Sequence, residues 1–209
     1  MPISQRTDPL RNFKFQIIIE SAPDLNTHTG GLGGLGFAEM SGLSVTNELI
    51  AYREGGMNTH PHKMVGQSDF PPVSFSRGVF ANQAQMWKWQ TFMHSWQQGN
   101  PSTGSTGLRV PSGSNDYRCD ILVYVYDHPY TRNDNIGGSY QATDLPLTET
   151  KPGKKQLGFK LFNCWPGVFA MNGLNAGDNG LLIQQMTIHH EGFQIAFTSE
   201  ELTAIAQSR

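Results

Sequence analysis

The sequence predicts a mainly β fold: an antiparallel β-sandwich or barrel with one flanking α-helix, in a single domain spanning residues 1–209. Three observations carry this prediction. Apolar residues recur with a period of two in several separated runs, helical periodicity is confined to one stretch, and turn-forming residues are abundant, with 23 Gly and 12 Pro. At 209 residues the chain suits one sizeable core carrying insertions better than two domains.

The first element is a strand. Phe13, Phe15, Ile17 and Ile19 alternate with Asn12, Lys14, Gln16 and Ile18, which leaves one consistently apolar face. After a loop over 21–35 that contains the run GGLGGLG, residues 36–56 read GFAEMSGLSVTNELIAYREGG. Val45, Leu49 and Tyr52 are spaced along this polar-rich extended stretch, and Gly55-Gly56 mark a sharp bend, so the element ends in a protruding, charged tip. The helix is expected over Ala81–Gln98, where Met86, Trp89, Met93 and Trp96 recur at steps of three and four. Asn82 is placed to cap it with Gln85 in the capping-box position, and Gly99 followed by Pro101 stops it.

A central strand follows at Cys119–Tyr126. Cys119, Ile121, Val123 and Val125 form one apolar set, while Leu122, Tyr124 and Tyr126 give a second, which predicts cover on both faces. Three extended runs, Phe159–Cys164, Leu181–His190 and Gly192–Phe197, close the fold, with Asn172-Gly173 and Asn179-Gly180 as turns. Residues 99–115 and 127–155 are rich in Gly, Ser, Thr, Pro and other polar types, and read as insertions on the outer surface.

Composition excludes several functions. A formal net charge of −2 lacks the basic footprint of sequence-independent nucleic-acid binding. The N-terminal residues carry no apolar signal-peptide core, and no run approaches the roughly 20 apolar residues of a membrane span. Cys119 and Cys164 each lie in an apolar stretch and read as buried thiols in preference to a disulfide or a metal site. Gly31, Gly33 and Gly36 match GxGxxG in letter, but a strand-like segment follows where a dinucleotide site needs a helix, so a loop is the better reading. His60 with His62, and His189 with His190, lack a second ligand pair, and Glu191 has no nucleophile or oxyanion donor to serve. No catalytic, cofactor or metal constellation emerges. The aromatic stripe of the helix reads as core, with base or sugar stacking on Trp87, Trp89 and Trp96 as the competing reading of a β-sandwich glycan-binding module.

Segments in a fixed order resemble the tail tube proteins of contractile-tailed phages and of related contractile injection systems. They are DPLRNFKFQIIIE from Asp8, the 36–56 stretch, KMVGQSDFPPVSFSRGVF from Lys63, MWKWQTFMHSW from Met86, and the closing run from Leu161 to Phe197 with Asn163-x-Trp165-Pro166 and His190-Glu191-Gly192. The resemblance implies a hexameric ring whose strands build a β-barrel lumen, wider than barrels of about 16 to 18 strands that already hold an aqueous channel. It implies stacking of rings through the segment 51–65, hence ring-to-ring contacts by Tyr52, Arg53, Glu54 and Lys63. Asp8, Arg11 and Arg77 would serve inter-subunit or loop-anchoring contacts. The implied partners are further copies of the chain, a sheath protein, a baseplate or tube initiator, a tape-measure or terminator protein, and passing DNA or protein cargo. Synthesis in a bacterial host cytoplasm and residence in a virion tail or injection-system particle follow from the same resemblance. A tube-initiating baseplate paralogue is the alternative within it.

Overall fold

A computed structural model describes residues 10–21, 25, 29–33, 35–97, 117–126, 155–177 and 179–207. Asp8 and the segments 99–115 and 127–154 lie outside the described residues, as does the side chain of Trp96.

Two sheets share one long strand. β1 (Phe15–Ser21) pairs antiparallel with β6 (Cys119–Tyr126), and β6 pairs with the first half of the 17-residue β7 (Lys155–Met171), whose other side takes β9 (Gly192–Ala196). The second half of β7 pairs with β8 (Ile183–His189), β8 with β5 (Val73–Gly78), and β5 with the short β2 (Glu39–Ser41). β3 (Thr46–Tyr52) and β4 (His62–Asp69) form a separate hairpin paired to no other strand among the described residues.

The crossover from one sheet to the other has a local cause. Asn163 takes φ +52°, a left-handed conformation that an asparagine tolerates better than most side chains, and it interrupts the regular ladder of β7. Its backbone N–H donates to Asp120 Oδ1 at 3.1 Å and its side-chain amide to Glu191 Oε2 at 2.5 Å, while Arg118 pairs with Glu191 at 3.0 Å. The bend is therefore held by polar groups on three strands or their ends.

The main core fills the space between the two sheets and α1 (Gln85–Gln97). Ile17, Ile19, Ile121 and Leu161 supply it from one sheet; Val73, Phe75, Met186 and Ile188 from the other; Met86, Trp89 and Phe92 from the helix. Trp89 is fully buried, and its indole N–H donates to the Tyr117 carbonyl at 3.0 Å, so burial leaves no orphan donor. The opposite face of β6 and β7 carries a second cluster, Leu122, Tyr124 and Tyr126, covered by Leu202 and Ile205 of α2 (Ser199–Gln207). The expectation that both faces of this strand are covered holds.

The structure departs from the sequence expectations in four places. The expected single helix is joined by a second, α2, which begins in a capping box: the Thr198 hydroxyl accepts from the Glu201 N–H at 3.2 Å, and the Glu201 carboxylate accepts from the Phe197 and Thr198 N–H groups at 2.9 and 3.2 Å. α1 starts at Gln85 and not at Ala81, because Asn82 sits at φ +64° in a turn and the Lys88 N–H makes the first helical bond to the Ala84 carbonyl at 2.8 Å. The first strand begins at Phe15, leaving Phe13 exposed under Arg11. The stretch 36–56 is broken into β2 and β3 at Gly42, which has φ +94° and lies so near Pro72 that an added Cβ would stand 2.9 Å from that residue's carbonyl oxygen. Cys119 and Cys164 are buried thiols as expected, and they face each other across β6 and β7.

Candidate assembly interface

The β3–β4 hairpin exposes apolar side chains on both of its faces. Its register sets Ile50 opposite Met64 and Tyr52 opposite His62 on one face, and Leu49 opposite Val65 and Ala51 opposite Lys63 on the other. Leu49 is 58% exposed and Val65 80%, and nothing among the described residues covers either. A two-stranded ribbon is marginal alone in water, and among the described residues none of its side chains joins a core cluster. Its tip turns through a bond from the Met57 N–H to the Glu54 carbonyl at 3.2 Å, with Gly56 at φ +92°.

Tyr52 ends β3, Arg53 and Glu54 lie in the tip, and Lys63 stands on β4; all four are exposed. The hairpin thus brings together the four residues expected in ring-to-ring contacts. Ile50, Met64 and Val65 belong to the same surface and were not singled out by sequence. Their signal is the adjacent apolar pairs Leu49-Ile50 and Met64-Val65, which place one apolar residue on each face of each strand.

Arg11 and Arg77 are not brought to this surface. Arg11 is exposed near the N-terminus, over the Phe13 ring. Arg77 is 1% exposed on the inner face of β5, where it donates to the Gln83 side-chain oxygen in the turn before α1 and lies under the Phe80 ring. Burial lowers its pKa. Its Nε and Nη1 have no hydrogen-bond partner among the described residues.

The sheet formed by β2, β5, β8 and the second half of β7 has a bare face. Two rows of paired residues cross it: Glu39, Ser76, Gln185 and Ala170; then Ser41, Ser74, Thr187 and Val168. The face is made of hydroxyls, an amide and small apolar groups, with Glu39 its single charge in these rows.

Other sequence candidates resolve into structural roles. His189 stacks on Trp165 with centroids 4.5 Å apart, whereas His190 is buried between Phe70 and Phe193, so the two rings do not converge. His60 and His62 meet edge to face at 6.1 Å. Among the described residues no group of three or more His, Cys, Asp or Glu is arranged to hold a metal. Trp87 rests against Phe169 and Trp89 is buried, so these two rings do not form one stacking platform.

Comparison with known proteins converges on one class. Among curated protein sequences none matches. Solved structures share the fold at low sequence identity. The anti-feeding prophage tube-terminating cap aligns with a TM-score of 0.62 at 17% identity, over 95% of this chain and 100% of that one. The 6-fold symmetrised anti-feeding prophage baseplate aligns at 0.60 and 15%, over 93% and 99%. A sheath–tube complex of an extracellular contractile injection system in its extended state aligns at 0.56 and 16%, over 91% and 93%. The profile of the T4-like virus tail tube protein gp19 family matches residues 11–194, nearly the whole described fold. The chain belongs to the T4-like virus tail tube protein gp19 family.

Proposed function

We propose that this chain is the repeating subunit of an inner tube. Copies close into hexameric rings, the rings stack inside a contractile sheath, and the hollow tube conducts DNA or effector cargo. The observation that carries this reading is the β3–β4 hairpin, which presents apolar side chains on both faces and is covered by nothing among the described residues. Exposed apolar surface of this kind marks a protein–protein contact.

Ring closure has a physical motive as well. Among the described residues, the sheet of β2, β5, β8 and β7 leaves β2 unpaired on one side and residues 165–171 of β7 unpaired on the other. Pairing between copies removes both edges, and a closed barrel then has its bare face toward the axis. Rows of Ser, Thr, Gln and Ala along that wall hold no cation to retain a polyanion. A sheath, a baseplate initiator and a tape-measure or terminator protein are the further partners of such a tube, because head-to-tail stacking of identical rings stays open until another protein stops it.

In this reading Tyr52, Arg53, Glu54 and Lys63 contact the next ring, Arg11 and Asp8 lie at the boundary between subunits, and Arg77 anchors the turn that leads into α1. Electron microscopy of the purified protein across a concentration series tests the reading: rings with a central hole, and stacks of them, are expected, and strictly monomeric particles at every concentration overturn it. Arg53→Glu with Glu54→Arg is expected to leave a folded subunit that no longer stacks. Each exposed pair contributes only about 0 to 1 kcal/mol, so the effect comes from repetition around the ring. Normal stacks from this variant would remove the two charges from the contact.

A further inference from the structure

A lysine and two carboxylates meet on the face of the sheet that carries α2. Glu20 on β1 and Asp120 on β6 are direct cross-strand partners, one row from Ile18 and Leu122 on the same face. Like charges set directly opposite each other repel. Lys160, the partner of Leu122 on β7, answers both from the next row: its Nζ lies 3.3 Å from Asp120 Oδ2 and 3.7 Å from Glu20 Oε2.

The burial of these groups is uneven. The Lys160 side chain is 0% exposed, that of Asp120 23% and that of Glu20 42%. A lysine on a sheet face ordinarily runs its stem along apolar surface and keeps the ammonium in water. Lys160 is instead enclosed along its whole length, a costly state for an ammonium unless it is paired. Its two partners open to solvent, which gives a small product a way out.

Asp120 is also held from its other side. Its Oδ1 accepts from the Asn163 N–H at 3.1 Å, at the bend where Asn163 takes φ +52°. The carboxyl group is thus fixed between a backbone donor and an amine, on neighbouring strands whose register sets both ends. Such positioning turns a slow bimolecular condensation into a unimolecular step. An ion pair needs only two opposite charges. This cluster adds a second carboxylate beside the amine and an N–H donor on the far carboxylate oxygen, the parts that acyl transfer uses.

We propose that Lys160 and Asp120 form an isopeptide bond within the subunit, with Glu20 as the proton-transfer group. Glu20 takes a proton from the Lys160 ammonium, and the freed amine attacks Asp120 Cγ. The Asn163 N–H stabilises negative charge on Oδ1, which stays as the amide oxygen. Oδ2 leaves as water with two of the three ammonium protons, both relayed by Glu20, whose carboxylate is regenerated. One ammonium and one carboxylate give one amide and one water, and no oxidant or cofactor is consumed. The product ties β6 to β7 just before the Asn163 bend that carries β7 from one sheet to the other. The site lies within one chain, so the proposal stands or falls independently of the tube reading.

Intact-mass spectrometry of the full chain, purified and then denatured, reads the bond directly. The expected mass is that of the sequence less one water, with digest peptides joined at Asp120 and Lys160. Lys160→Arg and Asp120→Ala are expected to keep the full mass of their sequences. Asp120→Asn is expected to lose ammonia and to give the same joined peptides as the wild type. Glu20→Gln keeps both reacting groups. Followed during cell-free synthesis, with circular dichroism showing it folded, it is expected to link at least about a hundredfold more slowly than the wild type. A wild-type chain still at full mass after prolonged incubation at neutral pH overturns the bond, as does a lost water located elsewhere in the chain. Linking of Glu20→Gln at the wild-type rate overturns the role given to Glu20.

Discussion

Two buried residues of this chain show how little room its packing leaves. Gly158 on β7 faces α2, and a Cβ added there would stand 2.5 Å from a Leu202 methyl and 3.1 Å from one of Ile205. Gly158→Ala is expected to lift the helix from the sheet and cost about 1–3 kcal/mol in urea denaturation. Trimming Leu202 to Ala in the same chain should recover part of the loss, and simple additivity of the two changes would argue against direct contact. His190 gives a pH dependence. Its burial between Phe70 and Phe193 lowers its pKa, and the carbonyls of Gly192 and Pro71 offset this only in part, while His189 adds to the lowering. The fold thus binds the neutral ring, and as pH falls below about 6.5 the unfolded chain takes up the proton first. Stability from this site is fully present above that pH and is lost as pH drops toward the folded pKa. His190→Phe, which keeps the aromatic contacts, is expected to shrink the difference in urea midpoint between about pH 7.5 and about pH 5.5. An unchanged difference would assign the acid sensitivity to other groups. Neither role is visible in sequence, where Gly158 is one of 23 glycines and His190 half of a histidine pair; both depend on which strand faces which helix.

At the scale of elements, legibility follows from whether a signal is local. The central strand was readable because Cys119–Tyr126 is apolar at both parities, and the turn at Gly55-Gly56 because glycine there is a local requirement. The start of α1 was misplaced because Asn82 and Gln85 satisfy a capping box on paper, while the tertiary turn puts Asn82 in a left-handed conformation. α2 carries a box of the same kind, Thr198 to Glu201, that does form. Sequence does not reveal it, because a nine-residue helix with Leu202 and Ile205 as its buried residues has too short a stripe to show periodicity. Thr198→Ala removes the hydroxyl that accepts from the Glu201 N–H and is expected to cost about 1 kcal/mol of subunit stability. Since Leu202 and Ile205 cover Tyr124 and Leu122, fraying is expected to appear as faster amide exchange in β6 as well as in α2. Exchange confined to α2 would mean that the helix is not needed to protect the sheet.

For the whole molecule, the hairpin was legible as a protruding segment, but the bare sheet face was not. Ser74, Ser76, Gln185 and Thr187 are ordinary polar residues until register lines them up across β5 and β8. Their alignment makes the proposed channel wall testable by charge. Ser76 and Gln185 stand directly opposite each other on β5 and β8, and in a hexameric ring Ser76→Lys with Gln185→Lys would add twelve cations to one belt. If this face lines the lumen, the variant still assembles, because the changed side chains point into water, and its tubes retain a short oligonucleotide at low salt and release it as salt rises. Retention alone does not separate inside from outside, since lysines on an outer wall also bind DNA. Nuclease does: DNA within the channel is protected, whereas DNA held on the exterior is digested. Protected DNA in the variant and none in the wild type is the expected result. Assembled tubes whose bound DNA is fully digested would put this face on the outside, and loss of assembly would place Ser76 and Gln185 in a contact between subunits.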